Sequence, residues 1–115
     1  MAEHDQVQRA QSAFEELHKA MLGVVDTFEH DAVVASNVAQ QLGRDTPIAP
    51  LVENFDVSSA RHRLTAALDA FETKRRNARV ALWRVMIDEG CSIGEVSRIF
   101  GLSRQLVSRQ LHSNE

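Results

Sequence analysis

Residues 90–112 read GCSIGEVSRIFGLSRQLVSRQLH, and this stretch specifies two short helices with fixed ends. Gly90 stops the helix before it. Ser92 and Glu95 have the spacing of a capping box, in which hydroxyl and carboxylate each satisfy the other residue's backbone amide. The helix so started is expected over 93–100. Gly101 ends it, since glycine enters the left-handed conformation without a Cβ penalty. Leu102 then turns inward and Ser103 caps a further helix from Arg104 to about His112. The inward set is Ile93, Val96, Ile99 or Phe100, Leu102, Val107 and Leu111. The outward set of the last helix is Arg104, Gln105, Ser108, Arg109 and His112, all hydrogen-bonding side chains.

Upstream, apolar residues at Val57, Ala60, Leu64, Ala67, Leu68, Phe71, Ala78, Leu82 and Val85 keep three-four spacing, interrupted by Lys74-Arg75-Arg76. They predict a helix over about 58–89, capped by Asp56 or Ser58. Its Ala81, Leu82, Val85 and Met86 are expected to complete the core under the short helices. Trp83 reads as core, because no second aromatic stands near it to build a stacking platform. Both prolines, Pro47 and Pro50, fall in the one clear loop, 43–50, and Leu51 to Phe55 adds a short turn.

Before the loop, Val7, Ala10, Phe14, Leu17, Met21, Val24 and Phe28 alternate steps of three and four. Ala32, Ala35, Ala39 and Leu42 continue them in a shifted register. One helix from about Glu3 to Leu42 follows, roughly 60 Å long at 1.5 Å per residue. Two seams joined by a short loop predict a long antiparallel helical hairpin in an all-α fold. Val25, Val33, Val34, Leu68 and Met86 flank the stripes, and a two-helix hairpin cannot cover them. The expected solution is a homodimeric four-helix bundle with an interface of Phe14, Leu17, Met21, Val24, Phe28, Leu64, Leu68 and Phe71.

Composition agrees. The chain has 115 residues, 43% hydrophobic and 25% charged, which suits one globular domain. Five glycines, two prolines and 5% aromatics argue against a turn-rich β architecture. Cys91 is the only cysteine, which excludes an intrachain disulfide and a cysteine-rich zinc site. Cys91 beside the capping Ser92 invites a redox role, but an inert thiol is the simpler reading. The histidines His4, His18, His30, His62 and His112 are dispersed, no glycine-rich loop cradles phosphate, and neither enzyme activity, metal nor cofactor is expected. No apolar run approaches the roughly 20 residues of a membrane span, and Glu3 and Asp5 are unlike a signal peptide, so a cytoplasmic setting is expected.

The net charge of -3 is unevenly divided. Residues 1–57 hold ten acidic and three basic side chains, a net of -7, whereas residues 58–115 hold six acidic and ten basic, a net of +4. From Lys74 to His112 the balance is +5. Only this later half would be drawn to phosphate.

At residues 101–109 the chain resembles the turn and recognition helix of lac-repressor-type helix-turn-helix regulators. The wider run with Gly90, Ser92, Val96, Gly101, Ser103, Val107 and Leu111 is similar to the module of resolvases and invertases. The resemblance covers about the last 35 residues. Ser97 and Leu106 depart from it, standing where such motifs place alanine and a polar residue. It implies a helix-turn-helix over 74–115 that shares the second long helix with the dimerisation hairpin read over 1–73; residues 1–55 carry no such resemblance. In that fold the second helix of the pair enters the major groove of double-stranded DNA. Arg104, Gln105, Ser108 and Arg109 would face base edges. Ser92 and Ser103 would hold phosphates, with Arg75, Arg76, Arg79 and Arg98 supplying attraction.

Other readings stand beside this one. Lys74-Arg75-Arg76 has Asp31 or Glu29 as intramolecular partners across the hairpin. The acidic hairpin suits a protein-interaction adaptor or antirepressor with a protein effector. A small apolar effector between the long helices, near Met21, Val25, Phe28 and Phe71, would make a ligand-responsive repressor.

Overall fold

The computed structural model describes residues 2–113, with side chains from His4 onward. The chain is all-helical among the described residues: α1 Ala2–Leu42, α2 Ala49–Asn54, α3 Val57–Asp88, α4 Ile93–Phe100 and α5 Arg104–Ser113. α1 pairs with the later helix α3. Pro50 sits in the first turn of α2, where its missing amide costs nothing. Asp56, at φ 47°, makes the turn into α3, and its carboxylate accepts from the Ser59 amide at 3.4 Å. That hydrogen bond, to side chain and backbone of Ser59, holds the Asp56 carboxyl below the ordinary range.

The helices divide into two compact units. One joins the chain up to Leu17 with the chain from Thr73 onward; the other is His18–Glu72. The boundary on α3 lies beside the expected end of the hairpin, and the first turns of α1 belong with the C-terminal helices.

In the first unit, Val7 lies with Val85, and Phe14 and Leu17 lie with Ala78 and Arg75, so numbers rise on α1 as they fall on α3. Ala10, Leu17 and Ala78 are buried, and small alanines at such contacts let helices approach closely. Glu16 faces Lys74 at 3.9 Å with both side chains well exposed, so the pair contributes only about 0–1 kcal/mol. Lys74 thus has Glu16 as an intramolecular partner, and Asp31 lies with Val57 and Ala60 in the second unit.

The core of this unit forms where α4 and α5 rest on α3. Val80, Trp83, Val96, Val107 and Leu111 build it, with Met86, Ile87, Cys91, Ile93, Phe100 and Leu102 packed around them. Trp83 is fully buried and meets Phe100 edge to face, the centroids 5.8 Å apart. The α3 residues that serve this core are Val80, Trp83, Met86 and Ile87. Of the expected set only Met86 takes part, because Leu82 and Val85 face α1 instead. This stretch of α3 serves two neighbours, and residues 78–87 are all buried or half-buried.

In the second unit, Asp26 and His30 lie with Arg63, and Val34 with Val57 and Ala60, again antiparallel. Not one described residue from 18 to 72 is fully buried.

Candidate nucleic-acid interface

Two matched helix ends shape the α4–α5 region. At the end of α3 the Cys91 amide donates to the Met86 carbonyl, with Gly90 at φ 110°. At the end of α4 the Leu102 amide donates to the Ser97 carbonyl, with Gly101 at φ 66°. Both are Schellman closures, and in each the residue after glycine packs on the core. The helix starts are as firmly set. Ser92 Oγ accepts from the Glu95 amide at 3.1 Å while Glu95 Oε1 accepts from the Ser92 amide at 3.2 Å, completing the capping box. Ser103 Oγ accepts from the Leu106 amide at 3.1 Å. Each hydroxyl keeps its own proton to donate outward, and both serines are exposed.

With Val107 and Leu111 turned into the core, α5 shows Arg104, Gln105 and Arg109 to the outside, and Ser108 is half-buried beside them. Arg104 has a defined neighbour: a Cβ added at Gly94 would lie 3.0 Å from its Nη2 and 3.2 Å from its Cζ and Nε. Its guanidinium thus covers the bare backbone of Gly94 in the first turn of α4. His112 Nδ1 lies 2.6 Å from the Ser108 carbonyl in the last turn. Of the two residues open at the sequence level, Phe100 turns in and Ile99 stands 56% exposed. Ser97 is buried, and Leu106 is half-buried.

The arginines expected at phosphates fall into two groups. Arg76 and Arg98 are exposed. Arg79 lies 5.2 Å over the Trp83 ring and donates through Nη2 to Gln110 Oε1 at 2.7 Å, tying α3 to α5. Arg75 is half-buried at the edge of a cleft. Arg84 is likewise structural, donating to the Leu111 carbonyl at 2.6 Å. A lone arginine in a basic stretch carries no sign of this division; Gln110, on the inner side of α5, is the partner that sequence reading missed.

The eight residues expected at the dimer interface also separate. Leu17 is buried within its own chain, and Val24, Leu64 and Phe71 are half-buried, whereas Phe14, Met21, Phe28 and Leu68 are 41–51% exposed. Val7, Phe14, Met21 and Phe28 recur every seven residues, and Val25 adds to them at 49% exposure. At 100° per residue this stripe is turned about 60° from the α1 face that holds Ala10, Leu17 and Val24.

A cleft of about 390 Å³ lies in the first unit between Phe14, Leu17, Leu82, Phe100 and Leu102, edged by Arg75 and Arg79. At the place expected for an effector, Met21, Val25 and Phe28 are exposed and Phe71 is half-buried. Among the described residues no His, Cys, Asp or Glu cluster could hold a metal, and no helix is long and apolar enough to cross a membrane. Comparison of the chain with protein-family models, curated proteins and solved structures finds no match.

Proposed function

We propose that the chain is a sequence-specific DNA-binding regulator acting as a homodimer, with α4 and α5 as its helix-turn-helix. One observation carries the reading. α5 is held by Val107, Leu111, Arg79 and Arg84 on its inner side, while Arg104, Gln105 and Arg109 project outward together. Side chains of this kind, on a helix fixed from behind, suit the major groove: arginine matches the two acceptors of guanine, and glutamine the donor and acceptor of adenine. Ser92, Ser103 and the amides near them suit phosphates, with Arg76 and Arg98 adding salt-sensitive attraction. Arg75 and Arg79 act on the fold first. The acidic excess of residues 1–57 limits nonspecific binding.

The dimer rests on the exposed stripe. A hairpin with no fully buried residue between 18 and 72 needs a further apolar neighbour. The exposed stripe of α1 lies about 60° around the helix from its inner face, which leaves it open to a further helix of a four-helix bundle. Phe14, Met21, Phe28 and Leu68, with Val7 and Val25, form the interchain surface; Leu17 stays within the chain. Titrating labelled random-sequence duplex at increasing salt tests the reading: binding should fall linearly on a log–log plot, and no binding at low salt would reject it.

A second reading has support from the same stripe. If its partner is another protein, the chain is an adaptor; a monomer in sedimentation that retains a protein partner and no DNA would establish that instead.

A further inference from the structure

We infer that Gly94 is a positioning residue for DNA recognition, setting the direction in which Arg104 is presented. The inference rests on the DNA-binding reading. Gly94 is the second residue of α4, a helical position where alanine is the better helix former, so the local fold has no need of glycine. Its backbone carries no positive φ to excuse it, unlike Gly90 and Gly101. What occupies the space a side chain would take is the Arg104 guanidinium: three of its atoms lie within 3.2 Å of an added Cβ, closer than carbon normally tolerates. The planar group lies this close to the α4 backbone because position 94 has no side chain.

This contact fixes one long, rotamer-rich side chain at the start of the helix proposed to enter the groove. Arg104 otherwise belongs to an exposed position with solvent on its outer side. Pre-ordering it before DNA arrives reduces the entropy lost on binding. It also limits the directions from which the fork can meet a base, which is where discrimination arises. Alanine at 94 makes the guanidinium give way by a few tenths of an ångström, which loosens its seat on the helix.

The test is a double-mutant cycle of Gly94→Ala and Arg104→Ala on the best-bound duplex and on random duplex, with thermal unfolding of each variant. Gly94→Ala should keep or raise Tm while weakening binding to the preferred duplex about three- to tenfold, as expected for one immobilised side chain. Random duplex should change less. In the Arg104→Ala background the Gly94→Ala effect should vanish. Unchanged affinity and base preference in Gly94→Ala, or an equal loss with Arg104 already removed, would overturn the inference. A readout independent of DNA uses the free wild-type protein: ¹⁵N relaxation should show the Arg104 Nε–H more ordered than that of exposed Arg98, and equal mobility would count against it. If wild type binds no duplex, the DNA reading fails, while the relaxation result still judges the Gly94 contact.

Discussion

The Trp83 indole meets the Phe100 ring at 83° with centroids 5.8 Å apart, and this contact joins α3 to the end of α4. Arg79 covers another part of the same indole. An edge-to-face aromatic pair adds about 0.5–1.5 kcal/mol beyond the area it buries. Phe100→Ala should therefore lower stability by about 3–5 kcal/mol, a large part of the total for a small domain, measured by urea unfolding. Ile99→Ala, one residue away and facing solvent, should cost less than about 1 kcal/mol.

The arginines should separate by salt dependence. Arg76→Ala and Arg98→Ala should leave Tm nearly unchanged and reduce the slope of log affinity against log salt by about one each. Arg79→Ala should do the reverse, lowering Tm with little change in slope, since its guanidinium serves Gln110 and Trp83. Equal slopes for all three would remove the division drawn between them.

Among the apolar positions of α1, Met21→Glu and Phe28→Glu should yield a monomer by sedimentation at micromolar concentration. Each places a charge on the exposed stripe without entering the intrachain seam. Leu17→Ala should instead lower the unfolding free energy by about 2–4 kcal/mol, because its side chain is buried in the chain itself.

The positions of the helix ends were legible in the sequence because single residues enforce them. Ser92, Glu95, Gly101 and Ser103 leave the backbone few alternatives, and α4 spans the expected residues. Which face met which neighbour was less legible. Between 78 and 87 nearly every α3 position is apolar or long enough to be half-buried, so a three-four pattern fits the set Ala81, Leu82, Val85 as well as the set Val80, Trp83, Met86. Only the placement of α1 on one side and α4–α5 on the other decides between them. The same holds for Phe14 and Leu17. Both lie on the apolar stripe of α1, three residues and 60° apart, and the sequence carries no mark of which one the second helix covers.

Asp56 gives a pH dependence. Its carboxyl is held below the unfolded value by hydrogen bonding to Ser59, so the ionised form is favoured by folding. The stabilisation is present above the unfolded pKa of about 4 and is lost as pH falls through the lower folded value. Asp56→Ala should lower Tm at neutral pH and shrink that difference in acid, as followed by circular dichroism. Alanine also meets strain at φ 47°, which persists at every pH. Asp56→Gly removes the strain and isolates the carboxylate.

The residues proposed to read bases can be tested separately. Arg104→Ala and Gln105→Ala should reduce preference for the best duplex over random duplex by about tenfold or more each, the value of one lost bidentate contact. Arg76→Ala should weaken both duplexes alike.

Selection of bound sites from a random duplex pool, read by sequencing, tests the central claim most directly. Two α5 helices presented by a dimer should enrich a pseudo-palindromic site whose half-site centres lie about 10 base pairs apart, or a multiple of that. A pool that returns no enriched sequence after repeated rounds would contradict sequence-specific recognition, and an enriched single half-site would contradict the dimer.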